Sequence, residues 1–182
     1  MPNPISLRYG WGVRPTPLYN AVMAADGIAY TAASNILNIA SNATAANQTA
    51  GVALWNGSGS GVNVMLTGIR LTSDTAGVKI RIQHVTTDPA LGTAVTPVNR
   101  NHTSTNTSAI SVETSIATGL TIPSTALMDS IITGIVPVVL DEGESTAFFP
   151  PGSGFQVIFN EETASTTVNV GATLAWVEFK ST

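Results

Sequence analysis

Residues 51–74 read GVALWNGSGSGVNVMLTGIRLTSD, an apolar run that breaks into Gly57, Gly59 and Gly61 and then resumes. Two readings compete for the glycines: a cradle for phosphate, or a turn between strands. A cradle needs glycines that run into a helix N-terminus, with a lysine for the outer phosphates. Here NGSGSG leads directly into the alternating VNVML, and the stretch contains no lysine. Asn and Gly accept the positive φ that tight connections require, so the stretch predicts a hairpin turn. Beyond it, Val62, Val64 and Leu66 share one face of a strand, while Ile69 and Leu71 fall out of phase with them. One extra residue restores the register, which predicts a β-bulge at Gly68.

The same period of two extends outward from this stretch. In VKIRIQHV, residues 78–85, Val78, Ile80 and Ile82 face inward and Lys79, Arg81 and Gln83 face out. His84 shares the inward face, which predicts a buried, hydrogen-bonded histidine. Further strands are expected in AISVET from Ala109, IITGIVPVVL from Ile131, FQVIF from Phe155 and TVNVGATLAWVEF from Thr167. In the last, Val168, Val170, Ala172, Leu174 and Trp176 lie on one face. Ile36, Leu37 and Ile39 fit a short strand near the beginning. Turn-forming residues separate the runs, most extensively over residues 88–108, and no long amphipathic helix interrupts them. The fold class is therefore all-β: an antiparallel β-sandwich of jelly-roll type over residues 28–182, preceded by an extended N-terminal arm over residues 1–27. Prolines at 2, 4, 15 and 17 and the aromatics Tyr9, Trp11 and Tyr19 mark the arm, where neither the helical nor the strand period persists.

Composition narrows the function. At 182 residues a single domain can remove roughly 70% of its unfolded surface from water, so its core needs neither metal nor disulfide. Charged residues make up 10% of the chain and hydrophobic ones 43%, a sparsely charged surface that suits coverage by a partner. A net charge of -4 argues against attraction to nucleic acid or to anionic membranes. With no cysteine there is no thiolate metal site and no thiol nucleophile. The first residues lack the apolar core of a signal peptide, so synthesis in a cytoplasm is expected. The most apolar run, residues 131–140, is broken by Thr133, Gly134 and Pro137 and is too short to cross a bilayer as a helix.

No cluster of residues spells out catalysis. His84 and His102 are the two histidines, and a zinc site built on them would still need Asp88 or Glu113 to converge. The GSG elements do not form the G-x-S-x-G of a nucleophile elbow. Asp141, Glu142 and Glu144 form an acidic turn whose ordinary state is solvated, although its oxygens suit a hard cation. Glu161 and Glu162, adjacent on a strand, would point to opposite faces and so cannot act as a paired acid and base. The expectation is a non-enzymatic protein with no cofactor and no metal.

Two stretches resemble the small jelly-roll virion proteins of tailed bacteriophages. ALWNGSGSGVNVMLTGIRLTSD is similar to their apolar-Asn-x-x-Gly-Ser-Gly-x-Asn hairpin with its long following strand. ESTAFFPPGSGFQVIFNEETASTTVNVGATLAWVEF is similar to their closing strands, with a Pro-Gly turn and a Trp-x-Glu near the end. The resemblance spans about residues 50–179 and implies a capsid decoration or cement protein, homotrimeric, bound to the major capsid protein on the virion exterior. The alternative role is a tail or head-fibre attachment module that binds carbohydrate, in which an exposed Trp55 would stack on sugar rings. In the arm, Arg8 and Arg14 stand against the single acidic Asp26, and Tyr9, Trp11 and Tyr19 are residue types that dominate interface energetics. Arg8, Tyr9, Trp11, Arg14 and Tyr19 are thus the candidate partner-binding residues.

Overall fold

In the computed structural model, described over residues 16–39, 48–74, 78–118, 128–132, 138–140, 147–161 and 167–181, two antiparallel sheets pack face to face as an all-β sandwich. Helix α1 (Thr16–Ala25) precedes β1 (Ala29–Ala33), β2 (Leu37–Ile39), β3 (Gln48–Asn56), β4 (Val62–Ser73), β5 (Val78–Val85), β6 (Thr93–Val95) and β7 (Val98–Asn99). Then follow β8 (Ser111–Thr118), β9 (Met128–Ile132), β10 (Val138–Leu140), β11 (Phe148–Phe149), β12 (Ser153–Glu161) and β13 (Val168–Lys180). One sheet runs β10-β4-β13-β1-β7, with β11 also on β4 and β2 also on β13; the other runs β6-β8-β3-β12-β5-β9.

No two consecutive strands pair among the described residues, which corrects the hairpin expected at residues 56–61. The glycine turn is present, with Ser60 N–H donating to Gly57 O at 3.0 Å and Gly61 at φ 70°. It carries the chain from β3 in one sheet to β4 in the other. Turn chemistry is the same for either route; what selects the crossing is Asn56, fully buried at the inward-facing end of β3. Its Nδ2 donates to Val62 O at 2.8 Å and to Phe149 O at 2.9 Å, both on the opposite sheet.

The bulge lies where the phase change placed it. Trp176 pairs with Leu66 and Ala175 with Gly68, so Thr67 is the extra residue beside Gly68. Val64 and Leu66 before it and Ile69 and Leu71 after it are all buried. Their partner β13 buries Val168, Val170, Ala172, Leu174 and Trp176, as its alternation requires. Val52, Leu54, Ile80, Phe155 and Phe159 close the core from the other sheet.

Three expectations are corrected. The run from Ile131 is not one strand: β9 pairs with β5 in one sheet and β10 with β4 in the other. His84 keeps the inward phase of β5 but is exposed, because that position has reached the rim of the sandwich, where its ring stacks on Phe149 at 6.0 Å between centroids. Part of the arm is helical. Pro17 falls in the first turn of α1, where a missing N–H costs nothing. Gly27, at φ 67°, ends the helix with Gly27 N–H on Ala24 O at 3.0 Å and Ile28 N–H on Met23 O at 3.3 Å, the double bond pattern of a Schellman cap. Ten residues gave too few turns for a helical period to stand out.

Candidate functional site

The arm joins the sandwich through a socket of short polar side chains. Gly27 O accepts from Asn99 Nδ2 at 2.9 Å, Asn106 Nδ2 at 3.2 Å and Tyr30 Oη at 3.4 Å. Asn101 Nδ2 donates to Ala25 O at 3.0 Å, satisfying a carbonyl at the end of α1 that the helix leaves open. The asparagines belong to the 88–108 segment, which is stitched by its own side chains: Asn99 Oδ1 accepts from Asn101 N–H and Asn101 Oδ1 from Thr103 N–H. This segment crosses between the sheets, with β6 on β8 and β7 on β1.

Glu178 supports the socket from below. Its side chain faces inward from β13 and is buried, yet three donors reach the carboxylate: Trp176 Nε1 at 3.0 Å, Ala109 N–H at 3.1 Å and Ser108 Oγ. A buried carboxylate persists only when its lone pairs are filled in this way. Tyr30 lies above, stacked on Trp176 with centroids 6.1 Å apart, and its phenol is pushed above the ordinary 10.0 by burial and then by the nearby Glu178 charge. Glu178 N–H also donates to Ile28 O at 2.9 Å, so β13 holds the chain one residue after Gly27.

Gly27 tolerates no side chain: its φ is left-handed, and an added Cβ would collide with the Ser104 side chain. We expect Gly27→Ala to cost about 1–3 kcal/mol in urea denaturation and to speed proteolysis within residues 16–28. A change under about 0.5 kcal/mol would show that the root is not fixed as described.

A second feature is the outward face of the β4–β13–β1 sheet. Its rows are mostly short side chains: Ala33 and Thr173 beside the long Arg70 in one, Gly171 and Thr72 in the next, Asn38, Asn169 and Asp74 beyond. Between β1 and β2 the chain makes an excursion through Ser34, Asn35 and Ile36, with Asn35 at φ 59° and Ser34 tied to Ala172 by two 2.9 Å bonds. Ile36 is thrown outward to 78% exposure beside an open trough of about 420 Å³ floored by Gly171. At the other end of the face Ala29 and Val177 are buried, where α1 contacts β1.

Of the residues singled out from sequence, Arg8, Tyr9, Trp11 and Arg14 lie outside the described residues, as do Asp141, Glu142 and Glu144. Tyr19 falls within α1. His84 and His102 are both exposed. Asp88 caps Ala90 N–H at 3.0 Å and Glu113 accepts from Gly92 N–H at 3.0 Å, so the four are not brought together. Among the described residues no three His, Cys, Asp or Glu side chains converge. Trp55 is half-buried at the end of β3, opposite Gly154 and Ser111. Sequence reasoning missed Asn99, Asn101, Asn106 and Glu178. The available signal was Trp176-x-Glu178, an acid in phase with a buried aromatic, together with the density of asparagine after Val98. No family model matches the chain, and neither curated proteins nor solved structures give a match.

Proposed function

We propose that this chain is a non-enzymatic structural protein of a tailed-phage virion, a decoration or cement protein made in the host cytoplasm. It binds the major capsid protein on the outer capsid surface as a homo-oligomer and stabilises the shell. The jelly-roll description of the sandwich belongs to the same proposal. The observation that carries it is the anchored end of α1: the chain whose sequence holds Tyr9, Trp11 and Tyr19 is joined to the sandwich at Ala25 and Gly27, which Asn99, Asn101 and Asn106 hold. Anchoring one end of a binding segment reduces the entropy lost when it docks. The prolines at 2, 4, 15 and 17 act in the same direction. Sparse charge over the chain favours burial against a protein surface.

The test uses capsids assembled without this chain and the purified full-length protein added back. We expect deletion of residues 1–15 to leave the thermal transition within about 3 °C of the full chain while occupancy on capsids falls at least about tenfold. Trp11→Ala should reproduce part of that loss. Unchanged occupancy would remove the arm as the anchor. Binding to tails in place of capsids, seen by cryo-electron microscopy, would favour the attachment-module role.

A further inference from the structure

We propose that Asn56–Gly57 is a latent deamidation site, silenced by the folded sandwich and released by unfolding, whose product the native crossing between the sheets rejects. The inference goes beyond capsid attachment and does not depend on it.

Asn56–Gly57 is the single Asn-Gly pair in the chain. Deamidation at such a pair needs water as its only co-reactant. Gly57 N gives its proton to hydroxide and attacks Asn56 Cγ; the N–Cγ bond forms, the Cγ–Nδ2 bond breaks, and Nδ2 takes a proton from water and leaves as ammonia. One water then opens the resulting succinimide. Attack at Cγ gives aspartate, and attack at the main-chain carbonyl of residue 56 gives isoaspartate, with Gly57 N retained on Cγ. Glycine favours ring closure because it sets no Cβ beside the attacking nitrogen and leaves the backbone free to turn.

The folded chain withholds each requirement. Asn56 is fully buried, which keeps solvent from Cγ. Ring closure requires Gly57 N to lie over Cγ, and a strand, whose side chains stand roughly perpendicular to the chain, holds the two apart. Asn56 ends β3, where it pairs with Ser153 and its carbonyl accepts Gly152 N–H at 2.7 Å. The leaving group Nδ2 is held by Val62 O at 2.8 Å and Phe149 O at 2.9 Å. The reaction therefore runs through an opened state and is slowed by the equilibrium for opening.

The same site accepts an amide and rejects a carboxylate. Two carbonyl acceptors face Nδ2, while Oδ1 is buried with no donor on it. Aspartate would set an oxygen against both carbonyls and leave a buried charge without a single donor. Isoaspartate would add a main-chain carbon between β3 and the turn and displace the strand end from Ser153. Glycine itself is not demanded at residue 57. Its φ is not left-handed, unlike that of Gly61, and an added Cβ would come no nearer than 4.0 Å to Trp55 Nε1. The reactive pair can thus be removed without disturbing the turn.

The full chain is incubated at mildly alkaline pH, folded and in concentrated urea, and peptide mapping by mass spectrometry follows amide and acid at residue 56. Conversion should be at least about tenfold slower in the folded protein. Gly57→Ala should keep the thermal transition within about 3 °C of wild type and slow the reaction in urea at least about tenfold. Asn56→Asp, made directly, should lower the transition by at least about 5 °C, and failure to fold is the same result in stronger form. Equal rates in folded and unfolded chains would overturn the silencing. An Asn56→Asp variant as stable as wild type would overturn the rejection of the product. A Gly57→Ala variant that unfolds, or that reacts in urea as fast as wild type, would overturn the role given to the pair. None of these results depends on capsid binding.

Discussion

Replacing Trp176 with alanine is expected to lower the stability of the sandwich by about 3–5 kcal/mol, measured by chemical denaturation. Trp176 is fully buried at the centre of β13, between Tyr30 on β1 and Leu66 on β4. Truncation removes the largest side chain of the core and opens a cavity that neighbours on paired strands cannot close, because their backbones are locked in the ladder. It also removes the Nε1–H that Glu178 accepts at 3.0 Å. Trp176→Phe separates the two effects: it keeps most of the packing and loses the bond, and should cost about 1–2 kcal/mol. A loss below about 1 kcal/mol for the alanine variant would show that this face of β13 is not the centre of the core.

That Trp176 belongs in the core was legible because alternation is a local property. Five inward positions in a row on β13 leave one choice of face, and the phase slip between Leu66 and Ile69 could be assigned to a bulge without knowing the partner strand. Pairing is different. The sequence around Gly57 specifies a change of direction but not the sheet in which the chain continues, since a hairpin and a crossing both need residues that accept positive φ. The crossing is decided by Asn56 reaching Val62 O and Phe149 O, and Phe149 is 93 residues away. The run from Ile131 was misread for the same reason: an interruption at Thr133, Gly134 and Pro137 can be a flaw in one strand or the passage between two sheets.

The arm root was illegible for a further reason. Asparagine carries a donor and an acceptor on a short stem, so its role depends on what lies within about 3 Å. Asn99, Asn101 and Asn106 read as loop composition until Gly27 is brought against them. The two carbonyls they serve, on Ala25 and Gly27, are orphaned by the end of α1, so the demand arises from a helix that sequence periodicity did not predict. The sandwich needs neither interaction to form its core. Their effect is on position: they fix the C-terminal end of α1 against the body at Ala25 and Gly27.

Glu178 ties the core to that root, and Glu178→Leu is expected to cost about 3–5 kcal/mol despite adding apolar volume. The leucine leaves Trp176 Nε1–H, Ala109 N–H and the Ser108 hydroxyl without their acceptor in the interior. Glu178→Gln keeps one oxygen and should cost less, about 1–2 kcal/mol. The same residue sets an alkaline response. Burial and the Glu178 charge raise the Tyr30 pKa above 10.0, so the folded protein holds this proton more tightly than the unfolded chain does. The resulting stabilisation is complete below about pH 10 and is lost as pH rises through the raised folded value. Ultraviolet titration of the tyrosinate band should therefore show one of the three tyrosines ionising later than the others, together with a fall in stability. In Glu178→Gln one of the two causes of the raised pKa is gone, so that late ionisation should move to lower pH. If it stays where it is in the wild type, the Glu178 carboxylate is not within electrostatic reach of Tyr30.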